Sequence, residues 1–363
     1  MKRIIAVVLC LIFALSLAGC GGKTPASSGD ATASETAPVM SDFYGLIDVD
    51  ADLPVSGISF ADDNPLMQYR LNKRGTDSGT YYSFVGDAGD EVYMTLPLND
   101  KPGLVYELHR VNPNGGDKPF IAQNAWGCLE KDGVLYYIKW EGDEGDPYYL
   151  ISNRDGKETV LTEINDCLYG QDVIYFVKDG NLYCIKYGES TAALLINGFW
   201  ENYFGFAEYN GRLYVESADG ICVFDGQIKN AEKIVEKTNC SITAIRNGCI
   251  FYDVYFPETN TSEMFCYNID AKTEQKLPLV LSDGVKINFT DDYLLAARGD
   301  CLYKINPGFN KVEKVFKADG EIDWLVCTNN RIFIWVDRTS ENLTKIMQLD
   351  LDGMILFSYK LAY

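Results

Sequence analysis

Apolar positions along the chain do not fall at the spacing of an amphipathic helix. They gather in short aromatic-rich runs separated by polar turns. Seven runs share one form: Val92-Tyr93-Met94, Val134-Leu135-Tyr136-Tyr137-Ile138, Val173-Ile174-Tyr175-Phe176-Val177, Arg212-Leu213-Tyr214-Val215, Cys249-Ile250-Phe251-Tyr252, Tyr293-Leu294-Leu295 and Arg331-Ile332-Phe333-Ile334-Trp335. Their starts are 42, 39, 39, 37, 44 and 38 residues apart. Each is followed by a partner run, among them Tyr148-Tyr149-Leu150-Ile151, Leu182-Tyr183-Cys184-Ile185 and Leu302-Tyr303-Lys304-Ile305. Turn-forming pairs such as Asp155-Gly156 and Pro307-Gly308 come next. A weaker strand precedes each aromatic run, as in Trp126-Gly127-Cys128-Leu129 and Trp324-Leu325-Val326-Cys327. Another follows each turn, as in Thr159-Val160-Leu161 and Ala193-Leu194-Leu195.

Four short strands per forty residues, with no helical stripe between them, predict an all-β fold. One four-stranded sheet of this size cannot bury both faces. Radial stacking buries both and matches the forty-residue period of a β-propeller. The count predicts seven four-stranded blades over 80–363, with six or eight as alternatives. Tyr81 to Phe84 is the expected inner strand of the first blade, and Ile355 to Tyr359 the last strand. Residues 41–79 fit the repeat poorly. Ile58-Ser59-Phe60 and Gln68-Tyr69-Arg70-Leu71 read as two short strands of a cap or an extra edge strand, with half of an eighth blade as the other option.

The first nineteen residues stand apart. Lys2 and Arg3 precede an apolar run from Ile4 to Leu15, too short for a comfortable membrane span and typical of an export signal. Leu17-Ala18-Gly19-Cys20 resembles the lipobox of bacterial lipoproteins. That resemblance implies a diacylglyceryl group on Cys20, cleavage before it, and a chain anchored by lipid (palmitate among its acyl groups) on the extracytoplasmic face of the cell membrane. The stretch 20–40 is rich in Gly, Ser, Thr, Ala and Pro and reads as a tether, with a reach of about 25 Å.

The repeat itself resembles the domain-of-unknown-function 5050 family, whose units are similar to the Tyr-Trp-Thr-Asp propellers of lipoprotein receptors. Asp132-Gly133-Val134-Leu135-Tyr136-Tyr137, followed by Asn153-Arg154-Asp155-Gly156, carries the likeness. It runs from about residue 80 to the end and implies a propeller. No clean Tyr-Trp-Thr-Asp sequence is present, so receptor ligand specificity does not carry over, and the family supplies no agreed catalytic set.

Composition narrows the function. The 363 residues carry a formal charge of -20, against the basic footprint that nucleic acid requires. Removing Lys2 and Arg3 with the signal makes it -22, a charge repelled by anionic headgroups, so membrane association rests on the lipid. Nine cysteines remain besides Cys10 and Cys20, an odd number set mostly in apolar strands. Most of them read as buried free thiols, with a bridge between one or two facing pairs as the alternative. A single His109 and the lack of close Cys pairs argue against a metal site. Asp48, Asp50 and Asp52 lack the glycine and distal glutamate of a calcium loop. No Ser-His-Asp, dinucleotide or Walker pattern is present, so neither a catalytic set nor a cofactor is expected.

In a propeller, the loops leading into the inner strands and joining second to third strands converge on one mouth of the central channel. This mapping selects Trp126, Trp200, Glu201, Tyr203, Asp323 and Trp324 at the inner strands. It selects Trp140, Glu141, Asp143 and Asp146 in a long loop, beside Glu258-Thr259-Asn260 and Asp337-Arg338-Thr339. Aromatic faces and carboxylates together suit a sugar, a cationic peptide or a protein partner. The expected function is non-catalytic binding or scaffolding of a protein or carbohydrate at the cell surface, by a monomer unless it joins an envelope complex. Two alternatives are an enzyme acting on extracellular glycan or peptide through channel-mouth carboxylates, and a sensor or accessory subunit of an envelope complex. Intact-mass analysis of the mature chain is expected to find residue 20 at the N-terminus carrying diacylglycerol. An unmodified Cys20 on a freely secreted chain would refute the anchor.

Overall fold

The computed structural model describes residues 46, 55–61, 85–88, 91–98, 105–111, 119–141, 147–224, 231–282, 285–328, 331–338 and 343–362. The expected signal, Cys20, the tether, Asp48 to Asp52, Gln68 to Leu71 and Tyr81 to Phe84 lie outside them.

Twenty-eight strands form seven four-stranded antiparallel sheets, each a meander of consecutive strands. Sheet 1 is β1 (Val85–Ala88), β2 (Glu91–Leu98), β3 (Val105–Val111) and β4 (Phe120–Gln123). Sheet 2 is β5 (Ala125–Lys131), β6 (Val134–Trp140), β7 (Tyr148–Arg154) and β8 (Lys157–Ile164). Sheet 3 is β9 (Asp166–Tyr169), β10 (Val173–Lys178), β11 (Asn181–Lys186) and β12 (Ala193–Ile196). A short helix, α1 (Phe199–Asn202), leads into sheet 4: β13 (Tyr203–Tyr209), β14 (Arg212–Ser217), β15 (Gly220–Phe224) and β16 (Ala231–Val235). Sheet 5 is β17 (Cys240–Arg246), β18 (Cys249–Phe256), β19 (Thr261–Asn268) and β20 (Thr273–Ser282). Sheet 6 is β21 (Lys286–Phe289), β22 (Leu294–Arg298), β23 (Cys301–Ile305) and β24 (Val312–Lys317). Sheet 7 is β25 (Glu321–Thr328), β26 (Arg331–Arg338), β27 (Leu343–Leu349) and β28 (Ile355–Ala362). The first strand of each sheet is innermost, and β1 lies against both β5 and β25. The chain is a seven-bladed β-propeller. The first described strand, Val85–Ala88, falls just after the expected Tyr81 to Phe84.

The aromatic runs are the second strands, and their lack of apolar–polar alternation has a direct cause. Val134, Tyr136 and Ile138 of β6 enter the core shared with sheet 3, while Leu135 and Tyr137 enter the core shared with sheet 1. In β18, Ile250, Tyr252 and Val254 face sheet 4, whereas Cys249 and Phe251 face sheet 6. Both faces of every blade are buried, so both sets of alternate residues must be apolar. Two-residue turns with both residues in the left-handed region, such as Asp132-Gly133 and Asn247-Gly248, join the strands. This is the hairpin geometry that follows right-handed strand twist. In all seven blades the register shifts between the third and fourth strands. Such bulges strengthen twist and turn the outer strand away.

Polar ties cross successive blade interfaces. Thr95 Oγ1 donates to the Ala125 carbonyl at 3.1 Å, and Tyr169 Oη to that of Gly127 at 2.5 Å. The Gln171 amide donates to Glu208 at 3.0 Å, and that of Gly248 to Tyr209 Oη at 2.8 Å. Arg246 donates to the Thr290 carbonyl at 2.8 Å, and Asn288 to that of Leu325 at 3.2 Å.

All nine cysteines after Cys20 are free thiols. Cys128, Cys222, Cys240, Cys249, Cys266 and Cys327 are buried in strands. Burial raises the Cys240 thiol to about 12 and pushes Cys128 and Cys327 up as well. His109 lies on β3, away from the innermost strand, with Nε2 2.9 Å from Glu107 and its ring edge-on to Phe120.

One of the two strands expected in 41–79 is absent, and the other, Gln68 to Leu71, lies outside the described residues. Ile58-Ser59-Phe60 is not a strand. Instead Leu46, Val55 and Phe60 are buried in the core between sheets 5 and 6. The fully buried Phe60 ring lies 5.7 Å from Phe251, 5.4 Å from Phe289 and 5.9 Å from Phe309. An aromatic side chain gains more by entering that crevice than by extending a solvent-exposed edge.

Among the described residues no strand is shared between sheets 1 and 7. The seam is closed by side chains: Val92, Met94, Leu96 and Val111 against Val326, Phe333, Ile346 and Tyr359. Gln348 stands opposite Phe333 and so shares its face towards this seam. It is fully buried, and neither amide atom has a hydrogen-bond partner among the described residues. Two substitutions are therefore expected to move stability in opposite directions in denaturant melts. Phe60→Ala should cost about 3–5 kcal/mol by leaving a cavity between blades 5 and 6. Gln348→Met should add about 1–2 kcal/mol by removing an unsatisfied amide at similar volume.

Candidate functional site at the channel mouth

Each inner strand begins opposite the end of its neighbouring second strand: Ala125 pairs with Lys139, Tyr203 with Ser217, Cys240 with Val254 and Glu321 with Asp337. These ends define one mouth of the channel. Four inner strands carry a bulge close to it. The register shifts between Trp126 and Leu129, Tyr203 and Gly205, Ile242 and Ala244, and Ile322 and Trp324. The extra residues include Phe204, Thr243 and Asp323. A bulge re-aims its side chain out of the regular ladder. On an innermost strand the open space is the channel. Phe204 is 56% exposed, and the Asp323 side chain 40%.

The residues selected from the sequence divide into two groups. Trp126 is half-buried against the core between sheets 2 and 3, edge-on to Tyr148 at 5.6 Å and to Tyr106 at 6.4 Å. Trp324 packs against the seam core with Trp335 at 6.4 Å. Tyr203 packs on Phe199 at 5.4 Å and Phe224 at 5.7 Å. Trp140 is half-buried at the end of β6, its N–H donating to the Asn124 carbonyl at 2.9 Å. Glu141, Trp200, Glu201 and Asp323 are the ones the fold presents to solvent, and Trp200 is 43% exposed. Helix α1 holds Trp200 and Glu201 out by burying Phe199 and by a Trp200 N–H to Gly180 carbonyl bond of 3.1 Å. Asp143 and Asp146 lie outside the described residues.

Further polar residues stand at the same mouth. Glu216 accepts the Ile242 N–H at 2.8 Å and the Ser241 hydroxyl at 3.3 Å, so its carboxylate ties blade 4 to blade 5. Thr243 Oγ1 lies 3.5 Å from Asp253. Asp337, at the end of β26 rather than in a loop, accepts the Thr344 hydroxyl at 3.0 Å. Lys286 opens β21 and reaches across the blade boundary to 3.9 Å from Asp323. Burial raises the Asp323 carboxyl above the usual aspartate range; Lys286 pulls it down, and Glu321 and Asp337 push it further up. Polar residues within apolar inner strands were the available signal for Lys286. Nothing in sequence marks Phe204 or Thr243, whose placement depends on the bulges.

No family model matches the chain, and no curated protein does. Solved structures share the architecture. The chain is similar to a puromycin-hydrolysing peptidase of Mycobacterium tuberculosis, with 14% identity and a TM-score of 0.57 over 84% of this chain and 55% of that one. It therefore spans just over half of that peptidase. It is also similar to the β-propeller domain of the trilobed protease from Pyrococcus furiosus, described as having an open velcro topology. Identity there is 13% and TM-score 0.55, over 77% of this chain and 98% of that domain. The tricorn protease matches with 12% identity and a TM-score of 0.35, over 76% of this chain and 30% of that one. At these identities the likeness concerns the fold alone.

The folded protein holds the Asp323 proton more tightly than the unfolded chain does. The ionised carboxylate therefore costs stability at neutral pH, and the cost fades as pH falls through the raised value. Asp323→Asn is expected to raise Tm at pH 7, with the gain shrinking to nothing near about pH 4, the ordinary aspartate range. Thermal melts of both proteins across pH check this; a gain independent of pH would contradict the assignment.

Proposed function

We propose that the protein is a lipid-anchored, extracytoplasmic propeller that binds or scaffolds a protein or glycan at its channel mouth without acting on it chemically. The supporting observation is the set of inner-strand bulges. They set Phe204, Thr243 and Asp323 outside the regular strand pairing, while Trp200 stands exposed on α1. Aromatic and acidic groups on rigid sheets suit recognition. Two mouth carboxylates, Glu216 and Asp337, already act as structural acceptors, which suits holding a ligand better than transferring protons. Among the described residues no helix is long and apolar enough to cross a membrane. In this reading the Cys20 lipid supplies attachment.

One observation favours a second reading, an enzyme acting on extracellular glycan or peptide. Asp323 has a raised carboxyl affected by two further carboxylates, an arrangement that can serve acid–base chemistry. Mild crosslinking on intact cells followed by co-purification separates the two. The binding reading expects a recovered protein or glycan that is lost in a Trp200→Ala, Phe204→Ala double variant of unchanged Tm. Hydrolysis of cell-wall glycan or peptide by the wild type, abolished in Asp323→Asn, would replace it with the enzyme reading.

A further inference from the structure

Sheet 5 carries two thiols side by side on the face that packs against sheet 6. Cys249 opens β18, and Cys266 lies on β19. Cys249 stands opposite Asn268, and Cys266 opposite Phe251, so the two cysteines are diagonal neighbours across one hairpin. Both are buried, and both belong to the core that holds Phe60, Phe251 and Phe289. In a regular ladder such diagonal positions are about 7–8 Å apart, the outer limit for a disulfide. Here the side chains converge across that gap, and the Cys266 thiol donates a hydrogen bond to Cys249. The Asn268 side-chain amide donates to the same sulfur at 3.9 Å. Two donors on one sulfur favour its thiolate, the form that attacks a disulfide. The hydrogen bond to Cys249, together with burial, pushes the Cys266 thiol up and keeps it protonated. Other thiols are placed differently. Cys301, in the same core, donates to Asp300 at 3.0 Å. Cys167 and Cys184 lie in the cores on opposite sides of sheet 3, and Cys222 and Cys240 in those on opposite sides of sheet 4.

We propose that Cys249 and Cys266 are a reversible redox pair, in which Cys249 attacks a small-molecule disulfide and Cys266 resolves the product into an intramolecular bridge. The Cys249 thiol gives its proton to water, and its sulfur bonds to one sulfur of the reagent. The reagent's S–S bond breaks, and one small thiolate leaves and is protonated. Cys266 then loses its proton and attacks the Cys249 sulfur of the mixed disulfide, expelling the second small thiolate. The protein gives up two electrons and two protons, and the reagent becomes two thiols. A bridge at the outer limit of reach is more easily reduced than a relaxed one. It therefore follows the surrounding redox poise instead of acting as a permanent staple. The Phe60 ring governs access. It lies 5.7 Å from Phe251, which stands beside both thiols, two residues after Cys249 and opposite Cys266. The reagent reaches Cys249 when Phe60 leaves the crevice, so the rate of oxidation reports how firmly the N-terminal segment is seated. This pair is independent of the channel mouth and of the binding reading above.

Peptide mapping of the full chain tests it. The folded protein is incubated with oxidised glutathione, and the thiols that remain are alkylated in denaturant. Trypsin leaves Cys249 and Cys266 together on peptide 247–272. After oxidation that peptide should carry no alkyl group and be lighter than its reduced form by two hydrogens. Cys128 and Cys327, each buried in another core, should stay alkylated. Dithiothreitol should restore both thiols. Cys266→Ser should stop at a glutathione adduct on Cys249, whereas Cys249→Ser should leave Cys266 unmodified over the same time. Phe60→Leu, which keeps an apolar side chain in the crevice and so retains the fold, should oxidise about ten-fold faster, because a smaller anchor leaves more often. The pair is overturned if peptide 247–272 keeps two alkyl groups in both the wild type and Phe60→Leu. It is equally overturned if Cys249 bridges to a different cysteine, or if the Cys266→Ser chain carries no adduct on Cys249. Equal oxidation rates in the wild type and Phe60→Leu would overturn the role of Phe60 as the gate.

Discussion

Burial of both faces of every sheet is the constraint on which the rest of the structure depends. A four-stranded sheet whose second strand reads Val-Leu-Tyr-Tyr-Ile has no face that tolerates water. Val134, Tyr136 and Ile138 need a neighbour on one side, and Leu135 and Tyr137 need one on the other. Repeating that demand seven times closes a ring in which each core belongs to two blades. The polar ties follow the same logic: Arg246, Glu208 and Asn288 are buried, yet each reaches a partner on the next or preceding blade. No blade holds its own apolar surface, so a change at one interface is felt by two sheets.

The inner strands meet a different condition. Their free edges face one another across a channel instead of packing against a further strand. Polar residues therefore collect there, and bulges are tolerated because no ladder on the inner side is disrupted. Phe204, Thr243 and Asp323 owe their positions to that freedom. The same edge brings Lys286 from one blade beside Asp323 from the next, joining charges 37 residues apart in sequence.

Among the described residues, sheets 1 and 7 share no strand. The seam core contains the unsatisfied amide of Gln348. Phe60 is spent on the crevice between blades 5 and 6, where three phenylalanine rings surround it.

The period near forty, the seven second strands, their partners and the cysteines as apolar strand residues were all legible in the sequence. Each depends on short-range pattern: strand alternation, turn chemistry and the doubling of apolar positions that two-faced burial imposes. The mouth was legible only in outline. Trp126, Tyr203 and Trp324 share local context with exposed aromatics, yet the neighbouring blades draw them into packing, while Trp200 is held out by a turn of helix. Phe204 and Asp323 stand outside the regular pairing because one strand has a residue more than its partner, a register property that no single segment encodes. Lys286 and Asp323 meet because consecutive sheets stand side by side. The sequence by itself determined the repeat and its burial pattern; only the tertiary structure decided which polar groups share a site, because that proximity arises between blades.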